Sequence, residues 1–110
     1  MAFSNQEVSN YYDQTAVHYR YFWNLNKSMA LHYGIWRDGV NNLADALAET
    51  NKELAKQADI QEEDRVLDAG CGVGGSSIFL AKNIGCEVVG VTLSQQQADN
   101  ASKNAIREGV

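Results

Sequence analysis

The chain has 110 residues, 45% of them hydrophobic and 21% charged, an ordinary globular composition that leaves room for one domain at most. A formal net charge of −5, with no block of Lys or Arg, gives no electrostatic footprint for nucleic-acid phosphates and disfavours docking on anionic membranes. The opening MAFSNQEVSN has neither the basic nor the apolar stretch of a signal peptide, and no apolar run approaches transmembrane length. The expectation is a cytoplasmic protein without membrane insertion.

Proline is absent, which leaves helices uninterrupted. Ser4 and Glu7 have capping-box spacing and predict a helix from about Asn5. Tyr11, Tyr12, Tyr19, Tyr21, Phe22 and Trp23 crowd this segment. The apolar periodicity breaks near Asp13, so two short helices with a bend are expected, then a third over Lys27 to Leu31, ended by Tyr33-Gly34. The aromatics read as a packing layer or as a lid over a ligand, and the two are compatible. From Asp38, a candidate N-cap, Val40, Leu43, Ala44, Leu47, Leu54, Ala55 and Ala58 recur at helical spacing. They predict one amphipathic helix of about five turns whose apolar stripe needs a sheet to cover. IQEED then forms a polar loop.

Arg65 to Gly75, RVLDAGCGVGG, organises the rest. Val66 and Leu67 end on Asp68 and run into Gly70, Gly72, Gly74 and Gly75, and the helix-compatible SSIFLAKN follows. Strand, glycine-rich turn and helix start form a layout in which backbone comes close to a bound nucleotide. Ile78, Phe79 and Leu80 supply a buried helix face, and Gly85 is a candidate C′ residue. Cys86 to Thr92 reads as a second, mostly buried strand. Ser94 and Gln97 repeat the capping-box spacing and open a last helix that Gly109 ends. Helices followed by β, α, β, α assemble naturally as a parallel sheet with right-handed crossovers. Two strands are few for such a sheet, so these residues are expected to be the N-terminal part of a larger domain.

Gly70, Gly72 and Gly75 satisfy G-x-G-x-x-G, which raises a dinucleotide and hence an NAD(P)-dependent oxidoreductase. Two features speak against it. The second strand ends at Thr92 without the acid that holds ribose hydroxyls, and Asp68 stands where a dinucleotide strand is usually apolar. A carboxylate at a strand's C-terminal edge needs a partner, and a cationic ligand would supply one. Capping of the turn by Asp68 is the alternative.

LDAGCGVGG resembles motif I of class I S-adenosylmethionine-dependent methyltransferases. VVGVTLSQQQ resembles a narrower group, the sterol, tocopherol and glycine/sarcosine methyltransferases and the cyclopropane fatty-acid synthases, in which T-L-S-x-x-Q replaces the acidic ribose ligand. ALHYGIW resembles that group's segment before the core. The resemblance implies a Rossmann-like α/β fold with the first two strands of the parallel sheet here, preceded by N-terminal helices. It divides the chain into an N-terminal helical lid or substrate segment, 1–37, and the N-terminal part of the cofactor domain, 38–110. It implies S-adenosyl-L-methionine as cofactor and in-line methyl transfer to a small-molecule acceptor.

By the same resemblance Gly70, Gly72 and Gly74 line the methionine and ribose portion, with Cys71 in the turn, and Asp68 orients the amino end. Thr92 and Gln97 take the ribose neighbourhood, Leu93 packs near adenine, and Tyr33 approaches the methionine carboxylate, with Tyr12 a further candidate. No general base is named. His18 and His32 read as packed or surface histidines, His32 being the better functional candidate. Cys71 and Cys86 match no disulfide framework or metal signature and read as free thiols. A catalytically silent fragment that forms a homo-oligomer through an exposed sheet edge is a third reading.

Overall fold

The computed structural model describes residues 2–22 and 25–110. Helix α1 spans Asn5–Phe22. Its capping box closes as expected: the Ser4 hydroxyl accepts from the Glu7 N–H at 3.2 Å, and the Glu7 carboxylate accepts from the Ser4 N–H at 2.8 Å. The expected bend at Asp13 is absent and α1 is continuous. No residue of α1 is fully buried, and Val8, Tyr12, Ala16 and Tyr19 are half-buried, so its broken apolar pattern reflects a shallow contact face rather than a break. Helix α2, Leu25–Ser28, is a single turn that starts before the expected Lys27. Met29, in the left-handed region at φ 50°, ends it, not Tyr33-Gly34. Trp23 lies outside the described residues.

Helix α3 spans Leu43–Gln57 and is capped by Asn42, not Asp38. Asp38 precedes Gly39, whose φ of 90° turns the chain before any helix can propagate. The α3 face that is buried carries Ala46, Leu47, Asn51 and Ala55, while Leu43 and Leu54 from the expected stripe are exposed. Gly34 permits the close crossing over α3, since a Cβ there would lie 2.5 Å from the Ala46 Cβ.

Strands β1, Arg65–Ala69, and β2, Glu87–Val91, pair in parallel, with Arg65 opposite Glu87 and Asp68 opposite Gly90. Between them lies α4, Gly75–Asn83, with Gly85 at φ 91° just beyond its end. Helix α5, Gln95–Glu108, starts at Ser94 and stops at Gly109, φ 80°. Ala55, Leu80 and Cys86 form the core with Ile60, Val66, Phe79, Ile84 and Val88 packed against it. That core covers one face of the sheet. The other face, with Leu67, Val89 and Val91, is exposed, so β2 is not the mostly buried strand its composition suggested. A β-branched run is buried on both sides only where helices cover both faces.

Candidate functional site

The turn after β1 is built against the end of β2. The N–H groups of Gly70 and Cys71 both donate to the Val91 carbonyl, at 2.8 and 2.9 Å. Gly90 makes room for this, because a Cβ there would lie 2.9 Å from the Cys71 sulfur and 3.3 Å from the Ser77 hydroxyl. Gly70 and Gly72 have positive φ, 94° and 54°, and a Cβ on Gly70 would meet nothing within 4 Å. The backbone is therefore open to a ligand at Gly70.

Above the turn lies a cleft of about 410 Å³. Of the residues singled out in the sequence, Asp68, Gly70, Cys71, Gly72, Thr92, Leu93 and Gln97 line it, as does Tyr12. Tyr33 and Gly74 do not. Tyr33 is 89% exposed, and its carbonyl accepts from the Thr50 hydroxyl at 2.9 Å. Gly74, φ 89°, is the N-cap of α4, and a Cβ there would come within 3.1 Å of the Ala101 Cβ, so it serves α4–α5 packing. Gly75, a glycine of the motif, and Ser94 also line the cleft, as do Val8, Met29, Ala30, Leu31, Val73 and Ser76, to which the sequence assigned no role. Ser94 carried a local signal as a cap. Val73, Gly75 and Ser76 belong to the turn itself, whereas Val8 and Met29 to Leu31 arrive through long-range packing, as where the Met29 carbonyl passes so close to Gly75 that a Cβ would sit 2.0 Å away.

Asp68 is half-buried and accepts from the Ser77 hydroxyl at 2.7 Å, so α4 fixes its rotamer. Thr92 donates to the Gln97 side-chain oxygen at 3.0 Å, which turns the Gln97 amide nitrogen toward the glycine turn, 3.9 Å from where a Gly72 Cβ would be. Burial, and after it the Asp68 charge, pushes the Cys71 thiol above its usual value. It is thereby held protonated, a poor nucleophile. Cys86 is also a free thiol, buried in the core.

His32 lines the cleft with an informative tautomer. Its Nδ1 lies 3.0 Å from the Tyr33 carbonyl oxygen, which can only accept, so Nδ1 carries the proton. In the neutral ring Nε2 is then the acceptor, and it is buried without a partner. An unmet buried acceptor costs roughly 1–3 kcal/mol. The arrangement is suited to a donor that arrives with a ligand. Among the described residues no three His, Cys, Asp or Glu side chains gather as a metal site, and no helix is long and apolar enough to cross a membrane.

The sequence matches the mycolic acid cyclopropane synthetase family over residues 2–110. Methyltransferase GfsG of Streptomyces halstedii is 35% identical over 99% of this chain and 38% of its own length. Geranyl diphosphate 2-C-methyltransferase of Saccharopolyspora erythraea is 37% identical over 72% of this chain and 33% of its own. The crystal structure of the [4+2]-cyclase SpnF superposes with a TM-score of 0.84 at 27% identity, covering 98% of this chain and 39% of that one. The fold is thus the Rossmann-like α/β fold of class I methyltransferases, and the chain spans about two-fifths or less of the length of these proteins.

Proposed function

The chain belongs to the mycolic acid cyclopropane synthetase family, and from that membership we propose that it forms the cofactor-binding part of an S-adenosylmethionine-dependent methyltransferase acting on a small-molecule acceptor. The observation that carries the reading is the single cleft on which Asp68, the glycine turn, Thr92 and Gln97 converge. Its residues fit the group: an acid for an ammonium, backbone free of Cβ atoms, and an amide and hydroxyl where a dinucleotide site would have an acid.

Bound there, S-adenosylmethionine supplies an electrophilic methyl group for in-line displacement. The chain's own part is to position and to exclude water. Asp68, held by Ser77, takes the cofactor's ammonium. Gly70 and Gly72 admit the methionine and ribose portion along the backbone, and Cys71 completes the turn as a small neutral wall. Thr92 and Gln97 bind the ribose neighbourhood, with Leu93 against adenine. Val8 and Tyr12 of α1 wall the cleft, which supports residues 1–37 as the lid or substrate segment and 38–110 as the cofactor domain. The buried Nε2 of His32 accepts a hydrogen bond from the bound ligand. Tyr33 stays a methionine-carboxylate candidate only if its segment closes on binding, and Gly74 acts by packing.

Calorimetric titration of S-adenosylhomocysteine, with NAD as control, tests the reading. Saturable binding, weakened at least tenfold by Asp68→Ala, is expected; binding of NAD in its place overturns it in favour of an oxidoreductase. His32→Phe should cost about tenfold in affinity, the equivalent of one unmet acceptor, and His32→Gln much less. The likeness to a [4+2]-cyclase favours a second reading, a bond rearrangement without methyl transfer. Label passing from methyl-labelled donor to an acceptor separates the two. The two thiols fit a cytoplasmic site of action. Open edges of the two-stranded sheet support a homo-oligomer, and concentration-dependent size in gel filtration tests that.

A further inference from the structure

Helix α1 contributes Val8 and Tyr12 to the cleft, yet buries no residue of its own. Its inward face, Val8, Tyr12, Ala16 and Tyr19, is only half-buried, so apolar burial fastens it weakly. Besides this shallow packing, a hydrogen bond between residues 81 apart in sequence joins it to the cofactor side of the molecule, in which the Ser94 hydroxyl donates to the Asp13 carboxylate. Ser94 is 1% exposed and sits at the N-cap of α5, directly after Thr92 and Leu93. Its oxygen also accepts from the Gln97 N–H at 3.1 Å. One hydroxyl thus links three things: the start of α5, the T-L-S-x-x-Q loop, and the middle of α1. The carboxylate also faces a helix N-terminus, where negative charge is favoured.

We propose that Asp13 is a positioning residue, which anchors α1 on Ser94 so that Tyr12 and Val8 close the cofactor cleft. Asp13 follows Tyr12 in sequence, so the bond that fixes its backbone also fixes where the Tyr12 ring enters the cleft. By linkage, whatever the anchor contributes to closing α1 must reappear as cofactor affinity, if the closed form is the one that binds. The inference about affinity rests on the cofactor reading above; the inference about α1 does not.

Amide hydrogen exchange and calorimetry on the same variants test it. Asp13→Ala should speed exchange across residues 5–22 at least tenfold, leave α3 unchanged, and weaken S-adenosylhomocysteine binding threefold to tenfold. Asp13→Asn keeps an acceptor oxygen and should restore both. Ser94→Gly removes the hydroxyl at a small capping cost. It should reproduce Asp13→Ala, and the double variant should be no worse than either single one. A role in stability alone would neither speed α1 exchange selectively nor weaken binding in the folded protein, and would show no rescue by asparagine in the ligand readout. Unchanged α1 exchange in folded Asp13→Ala, or strictly additive effects in the double variant, overturns the proposal. Loss of α1 protection in a protein that never binds S-adenosylhomocysteine keeps the anchor and overturns the cofactor reading and the affinity link together. Binding by the wild type that Asp13→Ala leaves intact keeps the cofactor reading and overturns the affinity link.

Discussion

The helices that begin in solvent start differently from those that begin at the cleft. Helices α1 and α3 close their first turns with their own side chains. Ser4 and Glu7 cap each other; Asn42 accepts from the Asp45 N–H at 2.9 Å and donates its amide to the Asp45 carboxylate at 2.7 Å. At the cleft, α4 has a bare glycine as its N-cap, and α5 has only half a box. Ser94 does accept from the Gln97 N–H, but the Gln97 side chain is diverted to Thr92 and the Ser94 proton to Asp13. The same Ser-x-x-Glu/Gln spacing closes on itself in one place and is diverted in the other, to Thr92 five residues back and to Asp13 across the fold. A helix start that gives up its own cap is what a binding site costs in local stability.

The contrast predicts where substitution hurts most. Gly75→Ala heads the order, because its Cβ would meet the Met29 carbonyl at 2.0 Å and backbone must move on one side or the other. A loss of about 2–4 kcal/mol in urea unfolding is expected, with loss of cofactor binding even where the protein still folds. Next is Ser94→Ala, which deletes a cap, a bond to α1 and a wall of the cleft together; about 1–2 kcal/mol is expected, at the upper end for a cap. Ser4→Ala removes an identical residue from an exposed box and should cost only about 0.5 kcal/mol, with no change in ligand affinity. Equal costs for the two serines would erase the distinction. Smaller again is Thr92→Val, which keeps the shape but frees the Gln97 amide. Helix content should be unaffected while S-adenosylhomocysteine affinity drops about threefold to tenfold, the worth of one hydrogen bond.

The same division explains what could be read from the sequence. Motif I and the strands, turns and helices from Arg65 onward were legible because glycines at positive φ, β-branched runs and cap spacing are local signals. The residues that line the cleft from β1, its turn and the Thr92–Gln97 loop followed from them. The bend expected at Asp13 is absent, because periodicity reports burial and the contact face of α1 is only half-buried. The cap of α3 was placed at Asp38 rather than Asn42, since both residue types cap well and only the turn at Gly39 decides between them. Met29, His32 and Ser77 join the site through contacts that no spacing encodes: a backbone crossing over Gly75, a carbonyl that sets a tautomer, and a hydroxyl on Asp68.

The smallest effect is the one that isolates the solvent-facing box from everything else. The Ser4 N–H, and after it the Ser4 hydroxyl, holds the Glu7 carboxyl below its usual value. A carboxyl lowered in the folded state contributes stability that is fully present above its unfolded pKa, about 4.3, and is lost as pH falls through the lowered folded value. The first turn of α1 should therefore loosen on acidification below about pH 4, seen as movement of the Ser4 to Val8 carbon chemical shifts toward coil values. In Glu7→Gln the amide can still close the box, and the same shifts should stay flat through this range. The first turn of α5, capped by a hydroxyl with a neutral glutamine at the third position, has no carboxyl in its box. It serves as the internal reference. The α5 shifts should move less than those of Ser4 to Val8, and equal movement of the Ser4 to Val8 shifts in wild type and in Glu7→Gln would sink the assignment to the exposed box.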